Sequence, residues 1–322
     1  MHPKLKTWLL ILSIPVTYAL ILRFVFDLNI FRHFITVMSI SFFISVPFGV
    51  GYLTIGLSNI EKVKKKSYRI FMPWIPIGIF LFLTLTLAIE GWACWLMILP
   101  IFLILSSLGG LTAGYYKIRK YNRSQNLNLS LILLLPFLAV PLEKLLPHTS
   151  SPFRADTFID IHAPGEKIWS NVVRVRAIDA QDDKGSVTNW LGFPRPIKAE
   201  LDYAGVGGRR QAIFSKGLIF EEIVQDYQPE KRMHFSIRAD PYAIPSATMD
   251  KHVVIGGDYF DVLDGTYELE KLQEGSYRLH LYSHFTLKTT FNFYAGWWAG
   301  LIMKDIQNNI LQVIRTRSQQ GL

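Results

Sequence analysis

The stretch TFIDIHAPGEKIWSNVV, residues 157–173, marks the beginning of a globular domain. Its residues up to His162 alternate in the manner of a strand with one buried face. An Ala-Pro turn follows, and Pro164 suits the first turn of a helix because its missing N–H needs no partner there. Apolar residues then recur at helical spacing: Ile168, Trp169, Val172 and Val173. The stretch therefore predicts a strand leading into a helix, with Trp169 packed inside the fold.

Downstream, the sequence predicts a short helical piece near Trp190, several antiparallel strands and one long helix. The strand candidates are residues 196–205, 209–216, 218–227, 231–239, 259–272 and 277–290. From Phe291 to Arg317 apolar residues recur at helical spacing, which predicts a helix of about 40 Å. A curved antiparallel sheet wrapped on such a helix leaves a space between them, and we expect a ligand pocket there.

Three segments resemble the START-like superfamily, also called SRPBCC, which includes lipid-transfer and polyketide cyclase-like proteins. They are IDIHAPGEKIWSNVV (159–173), GTYELEKLQEGSYRLHLYSHF (265–285) and FNFYAGWWAGLIMKDIQNNILQVIRTR (291–317). The resemblance covers roughly residues 153–318. It implies an α+β helix-grip fold with a hydrophobic cavity between the sheet and the C-terminal helix. It does not imply one activity, because fold and function separate widely.

The first half of the chain is predicted to be a helical transmembrane region. Half of the 322 residues are hydrophobic, 14% are aromatic and the mean hydropathy is positive, which together are too apolar for one ordinary soluble domain. Five apolar segments reach or approach the length that crosses a bilayer: 7–22, 34–57, 74–89, 92–114 and 127–146. The last is interrupted by Pro136 and Pro141, so a re-entrant or interfacial segment is the alternative there. We therefore expect a transmembrane region over residues 1–149 and a helix-grip domain over residues 150–322.

The charges of the loops orient these spans. Loops 58–71 and 115–126 are rich in Lys and Arg, and short positive loops stay in the cytoplasm. This places the N-terminus inside and the loop 23–33 and the turn at Glu90 outside. Five spans then deliver the C-terminal domain to the extracytoplasmic side, whereas four would leave it in the cytoplasm. We expect a bacterial inner-membrane protein with an extracytoplasmic domain.

Charge and composition exclude several classes of protein. Residues 1–150 contain 14 Lys and Arg against 4 Asp and Glu, while the remaining residues contain 20 against 21. The basic balance thus belongs to the membrane half, and nucleic-acid binding is not expected. Cys94 is the only cysteine, so an intrachain disulfide is impossible. The apolar cores of the predicted spans lack charges that would mark a transport path.

Five aromatic residues are the predicted ligand-binding residues: Trp190, Phe193, Tyr294, Trp297 and Trp298. Large aromatic surfaces suit an apolar ligand, and polar ring edges fix its orientation. Ordinary core packing is the competing interpretation. A further alternative is that Trp297 and Trp298 contact the bilayer interface, where tryptophan gathers.

Glu222 is a weak candidate for a catalytic acid or base, because one member of the pair Glu221-Glu222 must face each side of a strand. A solvated carboxylate is the alternative. His280 and His284 lie about 13 Å apart along a strand, too far to share one ion. We predict no metal site and no cofactor.

These observations favour a membrane-anchored protein that binds a lipid-like or other hydrophobic small molecule, for transport or sensing, rather than an enzyme. A cyclase- or hydrolase-like enzyme that uses a cavity carboxylate or histidine is one alternative. A structural or interaction module with a filled core is the other. The expected partners are the lipid bilayer and the apolar ligand, and the sequence does not indicate an oligomeric state.

Overall fold

A computed structural model of the chain describes residues 3–28, 38–121, 129–143, 152–179, 181–239, 255–257 and 259–320. The chain divides into two compact units. The helical unit contains Met1–Thr149 and Thr289–Phe291, and the sheet unit contains Ser150–Lys288 and Asn292–Leu322.

The helical unit contains α1 (Pro3–Asp27), α2 (Ile40–Leu57), α3 (Ile60–Val63), α4 (Lys66–Phe71), α5 (Trp74–Thr86), α6 (Trp92–Tyr121) and α7 (Leu129–Glu143). Four helical stretches in the described residues are long and apolar enough to cross a membrane: Leu5–Asp27, Ile40–Leu57, Lys66–Thr86 and Trp92–Arg119. They overlap the first four predicted spans, but the third begins eight residues earlier than predicted, within the predicted loop 58–71. Residues 29–33 of the predicted first loop and residues 34–37 of the second span lie outside the described residues.

α7 forms within the fifth predicted span, whose residues 127–128 and 144–146 lie outside the described part of the chain. It has 15 residues and therefore rises about 22 Å. Glu143 at its end is buried and accepts hydrogen bonds from the backbone N–H groups of Ile40 (2.9 Å) and Ser41 (3.0 Å). The end of α7 thus lies beside the beginning of α2. That α7 crosses a membrane remains a prediction, since it is shorter than the four long stretches.

Two glycines bring α2 and α6 into backbone contact. A Cβ atom on Gly51 would lie 1.8 Å from the carbonyl oxygen of Ser106. A Cβ atom on Gly109 would lie 2.0 Å from the carbonyl oxygen of Phe48. Small residues allow this close approach, which is a common way to pack helices within membranes.

Ionic groups connect helix ends within the helical unit. Arg23, near the end of α1, is buried and forms ion pairs with Asp27 (3.3 Å) and with Glu90, in the turn between α5 and α6. Lys117, near the end of α6, donates to the carbonyl oxygens of Gly56 (2.6 Å) and Ser58, at the end of α2. Glu90 thus joins the turn between α5 and α6 to the end of α1, and Lys117 joins the end of α6 to the end of α2.

The sheet unit contains β1 (Phe153–His162), α8 (Gly165–Val173), α9 (Val187–Trp190), β2 (Pro196–Leu201), β3 (Arg209–Phe214), β4 (Ile219–Gln228), β5 (Arg232–Ala239), β6 (Phe260–Gln273), β7 (Ser276–Leu287) and α10 (Asn292–Gln319). The seven strands form one antiparallel sheet in the order β1-β7-β6-β5-β4-β3-β2. Bulges in β2, β4 and β6 bend it. The predicted order of elements is confirmed, and the curved sheet with its helices matches a helix-grip fold.

α10 lies against the inner face of the sheet, mainly at β1 and β7, and α8 packs beside it. The main core lies between these elements and consists of Ile161, Ala163, Ile168, Trp169, Val172, Val224, Met233, Phe235, Tyr267, Leu269, Leu279, Leu281, Leu311 and Ile314. The indole N–H of Trp169 donates to the Tyr227 hydroxyl at 3.1 Å. The prediction that Trp169 packs inside the fold is therefore confirmed.

Gln307 connects α10 to β1 and β7 through a buried polar network. Its carbonyl oxygen accepts from the Thr157 hydroxyl at 3.1 Å. Its amide group donates to the Ser283 hydroxyl at 3.1 Å and to the backbone carbonyl of Ala155 at 3.4 Å. Buried polar groups need partners, so this network fixes the position of α10 along the two strands.

Three polar residues of α10 fasten the segment between α8 and β2. Arg317 donates to the carbonyl oxygens of Arg176 and Ala177 at 2.8 and 2.6 Å. The Asn309 side-chain oxygen accepts from the backbone N–H of Lys184 at 2.7 Å. Asp305 holds the start of α9 through the N–H (2.9 Å) and hydroxyl (2.7 Å) of Thr188 and the hydroxyl (3.0 Å) of Ser186. This segment, which carries Trp190, is thus bound along α10.

Candidate ligand-binding site

The candidate site is an ion pair on the inner face of the sheet. Arg210 on β3 lies directly opposite Glu222 on β4 in the antiparallel register. Alternation along each strand turns both side chains inward, so only 3% of Arg210 and 4% of Glu222 is exposed. The guanidinium donates a hydrogen bond to the Glu222 carboxylate. The expectation that one member of Glu221-Glu222 faces inward is confirmed for Glu222, and a solvated carboxylate is wrong there.

Aromatic rings surround the charge of Arg210. Its guanidinium carbon lies 5.4 Å from the centroid of the Phe235 ring and 5.7 Å from that of Tyr267, within the range of cation–π attraction. Burial raises the pKa of the Glu222 carboxyl above its ordinary value, while Arg210 acts in the opposite direction. Burial likewise raises the pKa of Tyr267, and a hydrogen bond with the Arg210 guanidinium opposes that rise. The pair thus sits in a water-poor environment in which each charge interacts strongly with its neighbours.

One hydrogen-bond donor of the Arg210 guanidinium, its Nε–H group, is unsatisfied by the described residues. Its Nε atom is buried and has no hydrogen-bond partner within the part of the chain that the structure describes. Buried N–H groups of native proteins are nearly always satisfied by protein, water or ligand. The free N–H therefore suits an oxygen acceptor such as a carboxylate, phosphate or carbonyl group.

The ion pair lies where two apolar clusters meet. On β4, Glu222 stands between Phe220 and Val224, and the latter belongs to the main core. Phe220 packs against a second cluster, the edge core, formed by Val175, Ile178, Ala199, Ala212, Phe214, Leu218 and Val313. A molecule held at Arg210 would therefore have apolar side chains on both sides of its polar end.

The five predicted aromatic residues fall into two groups. Trp190 on α9 and Trp297 on α10 are 62% and 59% exposed, so most of their surface faces outward. Phe193, Tyr294 and Trp298 are half-buried. Their role in ligand binding remains a prediction.

Trp298 carries a second unsatisfied donor. Its ring centroid lies 4.8 Å from that of Trp297. Its indole nitrogen is buried, and none of the described residues accepts a hydrogen bond from it. Trp298 is therefore the member of the predicted set that is best suited to meet a polar atom of a ligand.

The histidines of β5 and β7 lie on the other face of the sheet, away from Arg210. His280 contacts the Glu270 carboxylate at 3.3 Å, and His284 contacts the Asp264 carboxylate at 2.8 Å. Among the described residues, no group of three or more His, Cys, Asp and Glu side chains is arranged to hold a metal ion. These pairs are ordinary cross-strand contacts.

The sequence does not point to Arg210 or Tyr267 as site residues. Arg210 follows the turn Gly205–Gly208, and its inward direction could have been found by continuing the alternation across that hairpin from β4. Tyr267 on β6 lies two strands from Glu222 and three from Arg210, and only the strand order β6-β5-β4-β3 brings it near the ion pair.

No protein-family model matches the chain, and no curated protein matches its sequence. Solved structures do show similarity. Truncated norcoclaurine synthase from Thalictrum flavum is 12% identical, with 55% of this chain and 100% of that chain covered and a TM-score of 0.35. The Zhui aromatase/cyclase from Streptomyces sp. R1128 is 10% identical, with coverages of 53% and 95% and a TM-score of 0.34. The protein XoxI from Bacillus cereus is 12% identical, with coverages of 52% and 96% and a TM-score of 0.30. Because each TM-score is below 0.5, the helix-grip assignment rests on the strand order and the position of α10, and these likenesses carry nothing about ligand or activity.

Proposed function

We propose that this chain is a membrane-anchored protein whose helix-grip unit binds an apolar, lipid-like molecule by its polar or anionic end. The observation that carries the proposal is the buried Arg210–Glu222 pair with its unsatisfied N–H. Taking two charges out of water costs several kcal/mol per ion, and an apolar pair of similar volume would often be at least as stable. A site that holds a ligand oxygen at Arg210 accounts for this cost.

The apolar surroundings of Arg210 support a ligand with a hydrophobic body. The main core and the edge core flank the ion pair, and the half-buried Phe193, Tyr294 and Trp298 are the proposed aromatic lining. The four long apolar helices support attachment to a bilayer, which is a source of such ligands. Transport or sensing of a membrane lipid is therefore the proposed role.

The arrangement of helix ends supports an extracytoplasmic sheet unit. Arg23 and Glu90 join the end of α1 to the turn between α5 and α6, and Glu143 joins the end of α7 to the beginning of α2. All of these termini lie on the side opposite the Lys- and Arg-rich loops if α7 crosses the membrane. We therefore propose a cytoplasmic N-terminus in a bacterial inner membrane, with the chain after α7 outside.

The test is native mass spectrometry of the full chain released from detergent micelles, followed by extraction of bound molecules. The double variant Arg210→Met with Glu222→Leu removes the ion pair but keeps its volume. The matched control is Asp160→Asn with Arg278→Met, since this bidentate pair (2.7 and 3.0 Å) lies on the outer face of the same sheet. We expect the wild type and the control to carry one molecule with an acidic or acceptor-bearing end, and the double variant to lose it.

The comparison between variants is the readout, because transmembrane helices retain bilayer lipids of their own. If all three proteins carry the same adducts and take up an apolar fluorescent probe equally, the proposed site is wrong. The buried residues of the main core would then favour the interaction module with a filled core.

An enzyme is the second candidate, and the burial of Glu222 favours it. Burial raises the pKa of this carboxyl, so it holds a proton more readily than an ordinary glutamic acid, as a general acid or base requires. Glu222→Gln should then abolish turnover of the extracted molecule and leave its binding intact. Retained turnover in this variant would exclude Glu222 as the catalytic group.

A further inference from the structure

The outward stripe of α10 changes its chemistry along the helix. Phe293 and Trp297 are 74% and 59% exposed, and they lie four residues apart on one face. Lys304 and Asn308 continue the same stripe and are also exposed. The first two turns of α10 therefore present large aromatic rings, whereas the following turns present polar groups.

An aromatic pair of this kind is unusual on a water-exposed helix. Single exposed apolar residues are common in soluble proteins, whereas two large rings on one exposed helix face favour an apolar partner. A patch that lined an internal pocket would turn its rings inward, and these two rings face outward. Asp305, the acidic residue next to Lys304, is turned toward α9 and bonded to Thr188.

The sequence around the patch indicates the chemistry of its partner. The segment directly before α10, Thr289–Phe291, groups with the helical unit, which contains the four candidate membrane spans. Exposed lysines flank the aromatic pair, Lys288 before it and Lys304 after it. Aromatic rings with lysines beside them are typical of the boundary between lipid and water, where rings lie at headgroup level and ammonium groups reach phosphates.

We propose that the first two turns of α10 lie in the headgroup region of the lipid bilayer, with Phe293 and Trp297 in contact with lipid. Lys304 marks the level of the phosphates, and Asn308 lies in water. This surface is independent of the proposed ligand at Arg210. It makes the beginning of α10 a peripheral contact of the sheet unit with the bilayer, in addition to the spans of the helical unit.

Spin labels on single cysteines test this arrangement in the full chain. Cys94 is the only cysteine, so Cys94→Ser provides the background. Labels are placed at Phe293→Cys and Trp297→Cys, with Asn308→Cys as the matched control on the same exposed stripe. The chains are reconstituted in vesicles of phosphatidylethanolamine and phosphatidylglycerol. We expect the ratio of collisions with oxygen to collisions with a water-soluble nickel chelate to be several-fold higher at positions 293 and 297 than at 308.

Two results would overturn the proposal. Nickel collision at positions 293 and 297 equal to that at 308 would place the patch in water. Low collision with both reagents would mean that protein covers it.

A second measurement avoids new cysteines. In vesicles that contain brominated lipid, the wild type should lose more tryptophan fluorescence than Trp297→Phe, because bromine quenches only rings that it touches. Equal losses from the two proteins would contradict lipid contact at Trp297.

Discussion

The Asp305 carboxylate accepts hydrogen bonds from Ser186 and Thr188, at the beginning of α9. Burial acts to raise the pKa of Asp305, but the hydrogen bonds from Thr188 and Ser186 outweigh it and hold that pKa below its ordinary value. The folded chain therefore favours the ionised form more than the unfolded chain does. This contribution to stability is complete above the pKa of an unfolded aspartate, about 4, and is lost as pH falls through the lowered pKa of the folded state.

We therefore expect Asp305→Ala to loosen α9 at neutral pH. Loss of a carboxylate that accepts backbone and hydroxyl donors at a helix start costs about 1 kcal/mol, so the amides of α9 should exchange hydrogen severalfold faster. The ratio of exchange rates between variant and wild type should begin to fall as pH drops below about 4, the pKa of an unfolded aspartate, and should approach one only below the lowered pKa of folded Asp305. Hydrogen exchange of peptides that cover residues 185–195 measures both effects.

Asn308→Ala is the control for this variant, because Asn308 lies on the exposed stripe of α10. It should leave exchange in α9 unchanged. A rate ratio for Asp305→Ala that stays constant between pH 7 and pH 3 would contradict the assigned role of the carboxylate.

The candidate site shows what single residues reveal before a structure is known. Alternation on a strand is local information, and it predicts that one member of Glu221-Glu222 faces inward. Arg210 was missed because its importance depends on pairing with a neighbouring strand, and on burial by cores assembled from distant segments. Trp297 lies on a helix that was predicted, yet the exposed stripe to which it belongs is set by how α10 packs on the sheet.

At the scale of elements, the contact between α2 and α6 is the most demanding fit in the helical unit. The carbonyl oxygens of Ser106 and Phe48 occupy the space where side chains at Gly51 and Gly109 would begin. Backbone atoms cannot rotate away as a flexible side chain can. Any larger residue must therefore push the two helices apart.

Gly109→Ala should lower the melting temperature of the full chain in detergent. Overpacking of a well-packed contact costs about 1–3 kcal/mol, and here the obstacle is backbone. Gly78→Ala in α5 is the matched control, because a Cβ atom there has no neighbour within 4 Å. That substitution should be neutral or slightly stabilising, since alanine favours a helix more than glycine does. Equal melting temperatures of the two variants would contradict the close approach of α2 and α6.

The elements themselves were largely predictable where periodicity is strong and continuous. The β6–β7 hairpin, the strand-to-helix entry at Pro164 and the long α10 all follow from local alternation or helical spacing. α7 was the difficult case, because prolines and charges interrupt its apolar segment. Its contact with the start of α2 is made through the Glu143 carboxylate, which accepts from the backbone of a distant helix, and no local pattern reveals this.

For the whole molecule, the side on which the sheet unit lies depends on α7. We expect a cysteine at Gln225, an exposed position on the outer face of β4, to react with a membrane-impermeant maleimide in intact cells of the Cys94→Ser background. A cysteine at Glu61, in α3 within the basic segment between α2 and α4, should react only after the membrane is permeabilised. The measurement is the extent of labelling before and after permeabilisation.

Protection of both positions in intact cells would mean that α7 does not cross and that the sheet unit is cytoplasmic.

Glu143→Gln tests the role of the carboxylate at the start of α2. It should lower the melting temperature without reversing the labelling pattern, because the basic loops still set the orientation.

The Gln307 network has a consequence for biosynthesis. The hydrogen bond between Thr157 and Gln307 joins residues 150 positions apart, and α10 is synthesised after every strand of the sheet. Contacts of such high sequence separation make folding slow. While the chain is still on the ribosome, the sheet cannot complete its core, because α10 has not yet been synthesised. Until α10 emerges, the apolar residues of the sheet that pack against Leu311 and Ile314 are uncovered, so this unit needs protection from aggregation during synthesis.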